Sequence, residues 1–217
     1  MNESVNSSRF RAGVFERISH FFEGPNPLHP AVWEGRLKPL EFRRFSAADL
    51  PQCLELYRLN EPGRFPEGVI GQYEENLKAQ KSYFLVAESE GRVVASGGMH
   101  YFRVPHVAVF CYGLVRPGYH GRGFGTALVL ARLGLLNREL PAICVFIFAL
   151  AQSIDFYGRF GFRDFQPWRD AHGRNHPSGK LLITSDKIQQ CRQLLANHGV
   201  IVPHDEDKIP LLKSDEV

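Results

Sequence analysis

Apolar and polar positions along the chain follow two periods, and the switches between them mark out the elements. Leu40 to Phe45 alternates like a strand, and the core domain starts near Lys38. Ser46, with Asp49 three residues later, then caps a helix whose apolar stripe is Leu50, Cys53, Leu54 and Tyr57. A second helical period, Val69, Tyr73 and Leu77, predicts a helix over 68–81, with the breaker-rich loop Asn60 to Pro66 between the two. Tyr83 to Ala87 and Arg92 to Gly97 read as strands joined at Glu88-Ser89-Glu90-Gly91, a hairpin signal. A further strand-like run, Ala108 to Val115, precedes a glycine-rich turn and a long apolar helical stretch, Leu128 to Leu140.

The run Ile143 to Leu150 is continuously apolar, as a strand covered on both faces requires. A short helix from about Ser153 ends at Gly161, and Phe162 to Trp168 and Leu181 to Thr184 read as a final strand pair. Ser185 then caps a helix with Ile188, Cys191, Leu194 and Leu195 inward and Gly199 at its end. Residues 203 to 217 read as a tail. Residues 1 to 37 read as an extension in which Ser8 to Phe22 forms a helix, followed by a proline-rich linker. That helix is expected to pack on its own domain or a neighbouring subunit, in preference to lying on a membrane through Arg9, Arg11 and Arg17.

Composition narrows the function classes. The 217 residues, 44% hydrophobic and 23% charged, suit one globular domain with a sizeable core. A net charge of +3 gives no argument for nucleic acid, and no run reaches transmembrane length. The expectation is a cytoplasmic protein with neither nucleic acid nor membrane as partner. Cys53, Cys111, Cys144 and Cys191 lie far apart in apolar stretches and read as buried reduced thiols. His172 and His176 have a zinc-like spacing but no third ligand in register, so no metal is expected.

The chemistry concentrates in Val115-Arg116-Pro117-Gly118-Tyr119-His120-Gly121-Arg122-Gly123-Phe124-Gly125-Thr126-Ala127. Glycines at 121, 123 and 125 strip Cβ atoms from a strand-to-helix turn, so main-chain N–H groups can approach an anion. The following helix adds its unpaired N–H groups and positive dipole end. Neither the dinucleotide fingerprint nor the Walker loop fits this spacing. The run does resemble the pyrophosphate loop of the GNAT N-acetyltransferases, Gln/Arg-x-x-Gly-x-Gly/Ala after a Val-x-Pro step, with His120 in place of the leading Gln/Arg. Ser153 to Phe162 is similar to that family's Ala-x-x-Phe-Tyr-x-x-x-Gly-Phe segment, although Leu150 stands where an Asn usually opens it. The resemblance covers about residues 38 to 185, and with the added C-terminal helix the domain is expected to run from 38 to 202.

The resemblance implies an α/β (α+β) fold with a mixed, mostly antiparallel sheet splayed at the acetyl-CoA site by a bulge near Leu114-Val115, flanked by helices. It implies acetyl-CoA as cosubstrate. Leu114, Val115, His120, Gly121, Arg122, Gly123, Phe124, Gly125 and Thr126 would form its site, pantetheine adding to the strand edge at Tyr112 to Val115. Tyr157 would protonate the leaving thiolate, against the plainer reading of a tyrosine in an aromatic core with Phe156, Phe160 and Phe162. The activity implied is N-acetyl transfer to a primary amine of a small molecule or amino acid. A protein or peptide amine, or an acyl-CoA-binding module without activity, are the alternatives, and a homodimer is left open. Glu88, His100, His106, Cys111 and Tyr112 are candidates for a general base, and no spacing selects one. The acceptor is expected against the loops at 60–66 and 170–177, with Arg58, Arg64, Arg169 and Arg174 as weak candidates for an acidic acceptor. A branched side chain at Gly123 or Gly125 is expected to block the pyrophosphate, and His120→Arg to tighten it, unless the His120 side chain points to solvent.

Overall fold

The computed structural model describes residues 33, 35–61, 69–169 and 175–213. The expected helix at 8–22, Arg64, Arg174, His172 and most of the loops at 60–66 and 170–177 lie outside them, as do the side chains of Arg169 and His176.

Strand β1 (Leu40–Arg44) leads into a short 3-10 turn (Ala47–Asp49) and helix α1 (Leu50–Asn60). The capping pair expected at Ser46 is present: its N–H and hydroxyl donate to the Asp49 carboxylate at 2.7 and 3.0 Å. Arg43 forks onto the same carboxylate at 2.7 and 2.8 Å and holds it below the usual carboxylate pKa range. Helix α2 (Ile70–Ala79) is followed by strands β2 (Tyr83–Ser89), β3 (Arg92–Phe102) and β4 (Val104–Val115). The hairpin turn between β2 and β3 places Glu90 and Gly91 at φ 53° and 72°, the pairing a two-residue primed turn needs.

Helix α3 (Phe124–Gly134), strand β5 (Ala142–Phe148), a single helical turn α4 (Ile154–Gly158) and strands β6 (Arg163–Arg169) and β7 (Asn175–Thr184) follow. Helix α5 (Ser185–Asn197) then leads to the short strands β8 (Val200–Ile201) and β9 (Leu211–Leu212). The cap of α5 is Thr184, one residue before the expected Ser185. The sheet runs β6-β7-β5-β4-β3-β2-β1-β8, antiparallel except at β4–β5 and β1–β8, with β9 joining β3 in parallel.

Helices α1 and α2 cover one face over Cys53, Leu56, Tyr57, Tyr73, Leu77 and Phe84; α3 and α5 cover the other. From Thr126 to Gly134 every α3 residue is buried. Its glycines 125 and 134 each cost about 1 kcal/mol of helix propensity. Burial of a single leucine, at about 1.5–3 kcal/mol, outweighs either, so packing rather than propensity holds this helix.

Two ends of the chain differ from expectation. Trp33 and Leu37, in the expected extension, are buried in the main core, Trp33 stacking on Phe160 at 4.7 Å. The expected tail folds back as far as Lys213. β2 reaches β3 only up to Met99, so Tyr101 and Phe102 have a bare edge that β9 fills, Tyr101 and Arg103 N–H groups each donating at 2.8 Å to Pro210 and Leu212 carbonyls. Asp205, which accepts from the Tyr83 hydroxyl, and the Arg192–Glu206 ion pair fasten the same segment.

Candidate functional site

β4 and β5 pair in parallel only from Val107↔Cys144 to Phe110↔Ile147, and then part. The cause lies in β4. Between Ser96↔Leu114 and Gly98↔Cys111 its register against β3 shifts by one residue, and Tyr112 there takes φ 48°, a left-handed conformation that costs a non-glycine residue about 1 kcal/mol or more. This bulge at Tyr112-Gly113 sits within two residues of the expected position. Past it, the main chain of Gly113 to Val115 makes no pair with β5, which leaves a gap in the ladder between the two strands.

Beyond the gap the chain enters the glycine turn. Gly118, Gly121 and Gly123 have φ of 85°, 74° and 91°, and Gly123 is the N-cap of α3. The first helical bond is Ala127 N–H to the Gly123 carbonyl at 2.9 Å, so the N–H groups of Phe124, Gly125 and Thr126 have no acceptor inside the helix. These are the donors an anion needs, at the positive end of the helix dipole.

The glycines do not all serve the anion. A Cβ on Gly121 would meet nothing within 4 Å, so that face is open. On Gly123 it would stand 2.1 Å from the Arg36 carbonyl oxygen, and on Gly125 it would meet Phe156 and Val115 at 3.5 and 3.6 Å. The expectation that a side chain at 123 or 125 would intrude on the pyrophosphate is therefore corrected. At 123 it would strike the incoming 35–37 segment, and at 125 it would point into the protein.

Leu114 is buried, Val115 and Phe124 are partly so, and Arg122 lies over the Tyr119 ring at 5.0 Å. Arg116 does not face the turn: it is buried, donates to the Val93 carbonyl at 3.1 Å and pairs with Glu55 at 2.9 Å, tying the start of the turn to α1. His120 Nε2 donates to the Val115 carbonyl at 2.9 Å. Its ring thus braces the turn against the end of β4.

At the bulge, two side chains converge on Gly113. A Cβ on Gly113 would lie 3.3 Å from both the Tyr157 hydroxyl and Arg132 Nη2, yet Gly113 itself is exposed. The two polar groups therefore lie just under an open stretch of β4. The turn after α4 holds Tyr157: Phe160 and Phe162 N–H groups donate to its carbonyl, Gly161 takes φ 94°, and both phenylalanines are fully buried. Tyr157 is only partly buried and packs edge-on against Phe156 and Phe162 at 5.1 and 5.7 Å.

Among the base candidates, Glu88 pairs with Arg43, and exposed His106 bonds the Ala142 carbonyl. Tyr112 packs on Tyr73 at 4.8 Å. His100 and Cys111 belong to one buried chain: the Cys111 thiol donates to Ser82 Oγ at 3.5 Å, and Ser82 Oγ lies 3.0 Å from His100 Nδ1. Burial pushes the His100 pKa down to about 4 and the Cys111 thiol up to about 11. At neutral pH both are uncharged.

Two residues escape the sequence reading. Gly113 carries no pattern of its own. Arg132 did carry a signal: it is the sole charge between Phe124 and Leu136 in an otherwise largely apolar helix. Among the described residues no cluster of three His, Cys, Asp or Glu could hold a metal, and no helix is long and apolar enough to cross a membrane.

Residues 50–162 match the model of the acetyltransferase (GNAT) family. No curated protein matches the chain. Solved structures share its fold. A GCN5-related N-acetyltransferase from Rhodopseudomonas palustris is 16% identical, with TM-score 0.53, over 68% of this chain and 97% of that one. The ribosomal-protein-S18-alanine N-acetyltransferase from Escherichia coli is 19% identical, with TM-score 0.52, over 66% and 93%. A GNAT family acetyltransferase from Brucella melitensis, in complex with acetyl-CoA, is 19% identical, with TM-score 0.51, over 65% and 86%.

Proposed function

The chain belongs to the acetyltransferase (GNAT) family, and from that premise we propose that it transfers an acetyl group from acetyl-CoA to a primary amine of a small molecule or amino acid. The observation that carries this reading is the joining of two features by one strand end. N–H groups with no acceptor inside the helix stand at the start of α3, and a phenol lies under the exposed main chain of Gly113. The Phe124, Gly125 and Thr126 amides, with the open face of Gly121, fit a pyrophosphate; Leu114, Val115, His120, Arg122 and Gly123 shape the passage from cradle to gap. The unpaired edge of β4 past Phe110 fits an extended pantetheine arm, which would add to it as a strand does. Acetyl-CoA, when bound, supplies a thioester carbonyl open to attack by a neutral amine.

The residues of the gap divide the remaining work. Main-chain N–H groups near Gly113 can polarise a carbonyl. Tyr157 offers its hydroxyl proton to a departing sulfur, and its partial exposure leaves that proton reachable from the gap. The buried Cys111–Ser82–His100 chain is an implausible base, because His100 binds a proton only near pH 4. Proton removal from the amine is therefore assigned to solvent.

Incubating the protein with acetyl-CoA and a panel of small amines, amino acids and peptides, while following free CoA thiol, tests the proposal. Amine-dependent release with a small acceptor is the expected result. Release only with peptides would move the acceptor to the peptide class. Tight CoA binding without release by any amine would make the chain a binding module.

A further inference from the structure

Arg132 presents a problem that the fold alone does not resolve. Its side chain is 1% exposed, in the middle of the most apolar helix among the described residues. Burying a guanidinium is costly unless a carboxylate answers it, and none does among the described residues. What it has is weaker: long hydrogen bonds from Nε to the Leu128 carbonyl at 3.4 Å and from Nη1 to the Gly98 carbonyl at 3.3 Å, and the face of Phe110 at 4.6 Å. The sheet makes room for it with glycines. A Cβ on Gly97 would approach the guanidinium carbon to 3.3 Å, and one on Gly113 would approach Nη2 to 3.3 Å. Nη2 is thus directed at the place where the Tyr157 hydroxyl also lies, and a side-chain hydrogen bond with Tyr157 favours the charged guanidinium.

We propose that Arg132 is a positioning residue for Tyr157, its buried cation holding the hydroxyl at the β4 gap and stabilising the negative charge that appears there during acetyl transfer. This rests on the acetyl-transfer reading above. In that reaction the amine nitrogen forms a bond to the acetyl carbon, and the carbon–sulfur bond breaks with its electron pair going to sulfur. Sulfur takes the Tyr157 proton, and the phenolate regains one through solvent from the proton the amine sheds. Two anions occur in succession, thiolate and then phenolate, and a fixed cation beside both lowers the barrier to forming them from the uncharged ground state. The other titratable group facing the guanidinium is the Cys111 thiol, pushed up to about 11, and His100 behind it is pushed down to about 4. Neither carries charge near neutrality. An arginine does, even though burial lowers its pKa.

The test compares binding of CoA with that of desulfo-CoA, which lacks the sulfur, by calorimetry on the full chain. At about pH 9.5, roughly one unit above an ordinary thiol pKa, the wild-type protein should bind CoA about tenfold more tightly than desulfo-CoA; at about pH 6.5 the two should bind alike. Arg132→Met should bring the alkaline ratio to within about twofold of unity without changing desulfo-CoA affinity, and Arg132→Lys should restore most of it. In turnover, Arg132→Met should lower kcat about 10²-fold with the acetyl-CoA KM within about threefold, and should cost less than about threefold when added to Tyr157→Phe.

Equal wild-type binding of the two ligands at both pH values would overturn the inference without any variant. So would an alkaline preference surviving in Arg132→Met, or fully additive losses in the double variant. Failure of the wild-type protein to bind either ligand would overturn the acetyl-CoA reading itself, and the role of Arg132 with it.

Discussion

Two regions of the site, only a few residues apart along the chain, are made of different material. The turn before α3 is main chain: helix N–H groups with no acceptor inside the helix, and glycines at φ of 74° and 91°. The bulge of β4 is the reverse. There the main chain is bent and exposed at Gly113, and the chemistry comes from side chains that arrive from α3 and α4. A cradle of amides tolerates any side chain that does not disturb its path. A reaction centre of side chains depends on each atom that meets there. Substitutions in the two regions should therefore fail in different ways.

The largest expected effect separates two glycines that flank Phe124. Gly123→Ala puts a Cβ 2.1 Å from the Arg36 carbonyl in a left-handed conformation, so it should destabilise the fold by at least about 2 kcal/mol and weaken CoA binding more than about 10²-fold. Gly125→Ala meets ordinary contacts with Phe156 and Val115 and should bind CoA within about threefold of wild type. Thermal melts and calorimetry on both variants check this. Similar loss in both would mean the amides, rather than the approach of residues 35–37, set the requirement.

At the other region, Gly113→Ala brings a methyl group within 3.3 Å of Arg132 Nη2 and the Tyr157 hydroxyl. The expected outcome is a fall in kcat of about 10-fold or more with CoA affinity nearly unchanged, because the cradle is untouched. Loss of affinity with kcat preserved would reverse the division of labour.

The buried polar chain behind the bulge belongs to stability. In the folded protein His100 titrates at about 4, against an ordinary value near 6.5, so the unfolded chain binds more protons in between. Stability from this residue is full above about pH 6.5 and is lost as pH falls toward 4, by up to about 3 kcal/mol. His100→Gln should flatten denaturant midpoints across that window while leaving turnover at neutral pH within about threefold. An equally steep acid loss in the variant would assign it to other groups.

His120 carries the smallest effect. The sequence pattern suggests that arginine there would tighten CoA, but the His120 ring already donates to the Val115 carbonyl at 2.9 Å. We therefore expect His120→Ala to cost about 1 kcal/mol of stability, and His120→Arg to leave CoA affinity within about threefold. A clear gain in affinity on His120→Arg would restore the phosphate role.

The same contrast governs what the sequence could disclose. The capping pair Ser46–Asp49, the primed turn at Glu90-Gly91 and the apolar strand β5 are local features, and each stands where the pattern puts it. The glycine turn was legible for the same reason: missing Cβ atoms leave a mark in sequence. Convergence of Gly113, Arg132 and Tyr157 leaves none, because it depends on a bulge and on two helices meeting one strand. The packing of Trp33 on Phe160, and of Leu211-Leu212 along β3, was equally hidden. A two-residue strand has too short a period to read, and its partner edge exists only because β2 begins at Tyr83, opposite Met99.

Tyr157→Phe tests the account most directly, since it removes one proton donor from the side-chain region and nothing from the amide cradle. With an acceptor found in the amine panel, kcat and the acetyl-CoA dissociation constant would be measured on the same preparation. The account predicts a fall in kcat of about 10²–10⁴-fold with affinity within about threefold. Wild-type turnover in the variant would return Tyr157 to the aromatic core and contradict the assignment.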